Sequence, residues 1–313
     1  MTISLLALDY SRPIQPLFAQ ASRAGSIHSA FHHAVNITLD DTILALLSSE
    51  LPRMPNSARL PPVVAEELLH GLRPGMQVWI CNASLHIPAR DFSLYLPQTP
   101  PWEPRPGIAD YRWSRKTVIH HIRLLAHHLV AQPQRDGLAP LIGPLLLGQP
   151  APETPLSRMA LPALRMLALA SWRRDSAGVA EATCGLAGLG PGLTPSGDDA
   201  LAGFAAVMTL LSPYLSADAA PRDDIAATIA RVARPRTTAL SAVFLAHAAQ
   251  GEVAEHLGNL LLALALPAEA SEAVLHAANH VLSFGANSGG DTLLGMLLAL
   301  RALEGEIDWS NKP

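Results

Sequence analysis

Residues 97–107 read PQTPPWEPRPG, with five prolines in eleven positions. Each proline fixes its own φ and removes a backbone donor, so this stretch cannot be helix. What lies on either side differs in kind. Before it, short apolar runs alternate with turn residues. After it, apolar residues recur at helical spacing almost to the end of the chain. The connector therefore divides an expected α+β protein into a β-rich domain over 1–107 and a larger all-helical domain over 108–313.

In the first part, Gly25 to Thr38 reads as one period-two strand with Ile27, Phe31, Val35 and Ile37 on one face. His28, His32 and Asn36 share a face on that reading. Thr42 to Leu47, Met76 to Cys81, Ser84 to Ile87 and Phe92 to Leu96 are further strands. Pro61 to Gly71 reads as a helix ending at its glycine. In the second part, helices are expected over 114–132, 157–173, 199–212, 222–233, 237–250, 252–265, 268–282 and 291–304. Leu201, Phe204, Met208 and Leu211 mark a buried stripe.

Hydrophobic residues make up 49% of the chain and charged residues 15%, enough apolar material for a substantial core. The formal charge of −4 gives no reason to expect nucleic acid or an anionic membrane as partner. Cys81 and Cys184 are too few for a disulfide framework, which points to a reducing cytoplasm. The N-terminus lacks the pattern of a signal peptide, and no apolar run approaches the roughly 20 residues of a membrane span.

The densest motif is GLGPGLTPSGDD at 188–199, directly before an apolar helical pattern. It lacks the lysine of a P-loop, the G-x-G-x-x-G of a dinucleotide site and the G-x-S-x-G of a nucleophile elbow, so no nucleotide cofactor is expected. A capping box is one reading, with Ser196 as N-cap and Asp199 reaching back, for about 1 kcal/mol. Capping does not account for Gly197 or Asp198. Glycine at the first helical position suits close approach of a ligand to the backbone.

The motif has a partial repeat. SGDDALAG at 196–203 and SGGDTLLG at 288–295 both fit S-G-x-D-x-L-x-G. Two helix starts facing one site follow from this, with Gly203 and Gly295 letting the helices cross closely. Helix N-termini attract anions. Gly190, Gly192, Thr194, Ser196, Gly197, Thr237, Ser288 and Gly289 are the candidate anion-binding residues. Asp198, Asp199 and Asp291 would repel an anion unless a cation lies between, and Mg²⁺ or Arg236 of "RPRTT" are the candidates. An ordinary helix start accounts equally for that RPRTT stretch. His276 and His280 lack the acidic residue of a zinc-protease motif, and the doublets His120–His121 and His127–His128 lack Cys or Asp partners.

On GLGPGLTPSGDD, the Thr/Ser-bearing segment 237–241, the S-G-x-D at 288–291 and the early HHAVNIT, the chain resembles a bacterial family catalogued as a domain of unknown function. One branch supplies a subunit of the oxamate carbamoyltransferase of allantoin degradation. The resemblance implies a subunit working with other proteins, in purine catabolism, on oxalurate, phosphate, oxamate and carbamoyl phosphate. Asp198, Asp199 and Asp291 would then hold a metal or orient an amine. No motif identifies a general base, so the catalytic residues stay open. Two other readings remain: a non-catalytic anion-binding regulatory or scaffold subunit, and a metal-dependent carboxylase or lyase.

Overall fold

A computed structural model describes residues 3–19, 22–62, 69–132, 136–216 and 223–305. The chain forms two compact units, Met1–Arg105 with Val253–Glu255, and Pro106–Glu252 with His256–Pro313. The first is β-rich and the second helical.

Nine strands build the first unit among the described residues: β1 (Ile3–Leu6), β2 (Asp9–Tyr10), β3 (Arg23–Ala30), β4 (Ala34–Leu39), β5 (Thr42–Ser48), β6 (Ser57–Leu60), β7 (Gln77–Cys81), β8 (Ser84–Ile87) and β9 (Phe92–Tyr95). A short helix, α1 (Gln15–Ala19), follows β2. The sheet order is β1-β9-β8-β7-β3-β4-β5-β6-β2. Its two end strands belong to one continuous segment. β1 pairs with β9 in parallel and β2 pairs with β6 antiparallel. Between them the Ala7 N–H donates to Tyr95 O and the Leu8 N–H to Arg59 O, both at 2.9 Å. Residues 3–10 thereby close the curled sheet on itself and leave neither end strand bare.

The interior is filled by alternate residues, as a pleated sheet requires. Val35, Ile37 and Leu39 of β4, Leu44 and Leu46 of β5, and Leu85 and Ile87 of β8 are all buried. Asp9 clamps the seam. Burial pushes its carboxyl up, but the guanidinium groups of Arg59 and Arg53 outweigh this and hold it below the usual range. Arg59 Nη2 lies 2.5 Å from Asp9 Oδ2 and Arg53 Nε 3.1 Å from it. The proline-rich connector is extended and pinned here: the Trp102 N–H donates to Tyr10 O at 2.8 Å.

One strand expectation fails. Residues 25–38 are not a single strand but parts of β3 and β4, joined by a turn over 31–33. Phe31 sits at that turn and is 52% exposed rather than buried. His28, His32 and Asn36 do not lie on one strand, although His28 Nδ1 comes within 3.2 Å of the Ser29 Oγ that Asn36 also reaches. The ladder shifts register between Ile27 and Ser29, at His28, and His32 lies in the turn. Asn36 instead donates to Ser29 Oγ across the hairpin at 3.0 Å. Most of the helix expected over 61–71 falls at 63–68, outside the described residues.

The helical unit contains α2 (Arg115–Val130), α3 (Ile142–Leu146), α4 (Pro155–Arg173), α5 (Ser176–Leu186), α6 (Ser196–Leu215), α7 (Asp223–Ala233), α8 (Ala239–Ala249), α9 (Glu255–Ala263), α10 (Ser271–Leu282) and α11 (Ser288–Glu304). At its centre lie α6 and α11. Both are apolar on nearly every side, the pattern of a helix surrounded by others. Leu201, Phe204, Met208 and Leu211 are fully buried, as are Leu293, Met296, Leu297 and Leu298.

The two central helices touch backbone to backbone. A Cβ on Gly203 would stand 2.1 Å from Thr292 O, and one on Gly295 would stand 1.8 Å from Ala200 O. Thr292 and Ala200 occupy the same place in the two copies of S-G-x-D-x-L-x-G. The contact is thus reciprocal, each glycine admitting the carbonyl that precedes the matching leucine of the other copy. No helix among the described residues is long and apolar enough to cross a membrane.

Candidate functional site

The crossing of α6 and α11 brings the two helix starts together. Thr194 Oγ1, just before α6, lies 3.1 Å from Ser288 Oγ at the start of α11. The Ser196 hydroxyl of α6 reaches Asp291 of α11, while the Ser288 and Thr194 hydroxyls face Asp199 of α6. Each helix therefore offers its serine to the other's aspartate.

The capping reading does not hold. The residue preceding the helix is Pro195, and no side chain caps it. Ser196 is already helical, so Asp199 has no N-cap to answer. The Gly197 reading also needs correction. A Cβ there would stand 2.0 Å from Leu186 O, at the end of α5. Its N–H donates to Leu189 O at 2.8 Å. Gly289 repeats this, with Val281 O 1.9 Å from the missing Cβ and its N–H donating to Phe284 O at 3.0 Å. Close backbone packing, rather than a ligand, accounts for both glycines.

The loop before α6 turns on three glycines with positive φ, Gly188 (74°), Gly190 (114°) and Gly192 (98°). Such angles are costly for any residue with a side chain. Gly188 is wedged further: a Cβ would lie 2.5 Å from Arg236 O. Its N–H donates to Asp198 Oδ1 at 2.9 Å, and the Thr237 hydroxyl donates to Asp198 Oδ2. Thr238 donates to Leu193 O at 2.6 Å while its Oγ1 accepts the Ser241 N–H, capping α8. Asp198 thus ties the loop to the start of α8. The Arg236 guanidinium donates to Val232 O at 3.0 Å.

Asp291 is held from a quarter that no motif signalled. Its Oδ1 accepts the N–H groups of Leu138, at 2.6 Å, and Ala139, at 3.0 Å. Gly137, with φ of 98°, leaves room for the carboxyl, since a Cβ there would stand 2.7 Å from Asp291 Oδ2.

All three carboxylates are buried, at 2%, 8% and 0% exposure for Asp198, Asp199 and Asp291. Burial penalises the ionised form. It raises Asp198 against the opposing pull of Thr237 and Gly188. It pushes Asp291 up to about 6 and Asp199 up to about 8, the negative charge of Asp291 adding to the latter. Burial and the neighbouring carboxyl of Asp291 thus both favour the neutral acid form of Asp199. Asp199 Oδ2 and Asp291 Oδ2 have no hydrogen-bond partner. Ser241 Oγ lies near Asp198 but outside strict hydrogen-bond geometry.

This donor set does not fit Mg²⁺. Both oxygens of Asp198 and one of Asp291 are already committed to protein donors. Among the described residues no three His, Cys, Asp or Glu side chains are grouped to hold a metal ion. Of the histidine doublet at 120–121, His121 is fully buried, with Nδ1 3.2 Å from Leu264 O.

The family described as oxamate carbamoyltransferase subunit AllH matches residues 186–300, the span holding the glycine loop, both serine–glycine starts and the helices between. The AllH family N-terminal domain matches residues 6–100, the closed sheet. The chain belongs to the AllH family. No solved structure matches it. Membership of the AllH family makes the chain a relative of an enzyme subunit, which implies further subunits.

Proposed function

We infer that the chain is a subunit of an oxamate carbamoyltransferase and that its paired helix starts handle small anions: oxamate, oxalurate and carbamoyl phosphate. The arrangement that supports this most is the buried Asp199, whose surroundings favour its neutral form, beside the paired Thr194 and Ser288 hydroxyls. Three aspartates beside an anion site conflict with its purpose while they are ionised. A protonated Asp199 reverses that, because it donates a hydrogen bond instead of repelling charge. The hydroxyls of Thr194 and Ser288 face it and that of Ser196 faces the neighbouring Asp291, at the positive ends of two helices.

In this reading phosphate attacks the carbamoyl carbon of oxalurate. The C–N bond to the oxamate nitrogen breaks, giving carbamoyl phosphate and oxamate. The hydroxyls and helix ends stabilise the oxyanion that forms on the carbamoyl oxygen. Asp199 supplies the proton that the departing nitrogen takes. Asp198 positions the loop. No step passes through a metal ion.

A non-catalytic anion-binding subunit is the second reading. It is favoured by the commitment of both Asp198 carboxylate oxygens to the Gly188 N–H and the Thr237 hydroxyl, a structural rather than a catalytic use. One experiment separates the two. Phosphate-dependent cleavage of oxalurate is measured for the purified chain, for the other subunits without it, and for the reassembled enzyme with wild-type or Asp199→Asn chain. Loss of turnover with Asp199→Asn at intact assembly supports the first reading. Full turnover with that variant overturns it.

A further inference from the structure

Helix α10 divides its residues between two faces. Val274, Ala278 and Val281 are buried, while Glu272, His276 and His280, on the far side of the helix, are exposed. The exposed three recur every four residues and so form one row. Within that row His276 Nε2 and His280 Nε2 stand 3.0 Å apart. The ring centroids are 4.5 Å apart and the planes stand at 85°, so the two Nε2 apices turn toward each other.

A transition-metal ion held by two imidazoles keeps each nitrogen at about 2.0–2.1 Å. For angles between square and tetrahedral that sets the nitrogens roughly 2.9–3.4 Å apart. The observed spacing falls inside this range without a change of rotamer. A hydrogen bond between the rings uses the same spacing but makes one nitrogen a donor, whereas an ion takes both lone pairs.

The surroundings favour a cation. No Lys or Arg occurs between residues 237 and 300, so α8, α9 and α10 carry neither. Glu272 places a negative charge one turn before His276 on the same row. Both histidines lie in the last two turns of α10, toward the negative pole of the helix dipole. The imidazole of His128 on α2 turns to Asn279 Oδ1 instead, at 2.8 Å.

We propose that His276 and His280 form a surface site for one divalent transition-metal ion of the kind imidazole prefers, Zn²⁺, Ni²⁺ or Cu²⁺. Among the described residues no third His, Cys, Asp or Glu is grouped with them, so water fills the remaining positions. The ion clamps two successive turns near the end of α10. The site shares no residue with the paired helix starts and does not rest on the carbamoyltransferase reading.

The chain has thirteen histidines, so the test must isolate this pair. The full chain, without a histidine tag, is titrated with Zn²⁺ by calorimetry. His276→Ala and His280→Ala are compared with it, and His127→Ala, at another exposed histidine, is the control. Far-UV circular dichroism of the metal-free proteins checks that all fold alike. Either change in the pair should weaken the tightest binding step about tenfold or more, while His127→Ala keeps the wild-type value. Zn²⁺ should raise the melting temperature of the wild type more than that of the pair variants. With one equivalent of Cu²⁺, electron paramagnetic resonance should show coupling to two imidazole nitrogens in the wild type and to one in each pair variant. Equal affinity in the wild type and both pair variants places the ion on other histidines and overturns the proposal. A wild-type chain that binds no ion reduces the pair to a hydrogen bond and overturns it equally.

Discussion

Replacing Gly295 by alanine tests the central claim about the helical unit, that two backbones touch where the repeated motifs cross. The added methyl would stand 1.8 Å from Ala200 O, 2.7 Å from its carbonyl carbon and 3.0 Å from its Cα. A carbon settles against a carbonyl oxygen at roughly 3.3 Å, so the helices must part by about 1.5 Å. No side-chain rotation relieves this, because every obstructing atom is backbone. Overpacking of this kind costs about 1–3 kcal/mol and sometimes more. Alanine returns up to about 1 kcal/mol through better helix propensity. With backbone on both sides the penalty dominates, and a net loss of about 2 kcal/mol is expected. For a unit of this size that lowers the melting temperature by roughly 4–8 °C. Far-UV circular dichroism, which follows the helices, measures it directly. Gly203→Ala should behave alike, since Thr292 O waits 2.1 Å from its Cβ. The double variant should lose less than the two single losses combined, because one separation relieves both clashes. A Gly295→Ala chain as stable as wild type would refute the argument.

Gly197→Ala and Gly289→Ala should each lower the melting temperature by several degrees, because Leu186 O and Val281 O fill the space. Equal or raised stability in thermal denaturation would restore the ligand explanation for these glycines. Asp199 should make stability depend on pH in a stated direction. Its folded value, about 8, lies above the ordinary 3.8, so its contribution is complete below about pH 4 and fades as pH rises through 8. Melting temperatures of wild type should therefore decline between pH 5 and 9, and Asp199→Asn should flatten that decline. Parallel curves for the two proteins would place the pH response elsewhere.

The strand Ser84–Ile87 was legible from local alternation and Thr42–Leu47 from its short apolar run, each with a clear turn on its flank. The hairpin at residues 25–38 was not. Its turn, Phe31-His32-His33, holds no Gly, Pro, Asn or Asp, so the sequence pattern runs through it unbroken. β1, β2 and β6 were missed for another reason. They are two to four residues long, and their partners lie far along the chain, Ile3 beside Phe92 and Tyr10 beside Ala58. α5 is made largely of small residues, which give a weak amphipathic signal, although Val179, Ala182, Thr183 and Leu186 are its buried stripe.

The pairing of the two helix starts was readable from the repeat of S-G-x-D-x-L-x-G. The work done by its glycines was not, because a glycine needed for packing and one needed for a ligand look alike in sequence. The Leu138 and Ala139 N–H groups on Asp291 carry no sequence signature at all, since any residue but proline supplies a backbone donor. The neutral state of Asp199 likewise depends on burial that only the assembled helices create.

The segment that closes the sheet has a consequence for how the protein is made and handled. Residues 3–10 are synthesised before their neighbours, residues 57–60 and 92–95. Until the second of these is synthesised, the opening strand has no place to go, and β6 and β9 lack their outer neighbour. A truncation at residue 11 would make that state permanent. It would leave two unpaired rims on one domain, each able to recruit a strand from another molecule.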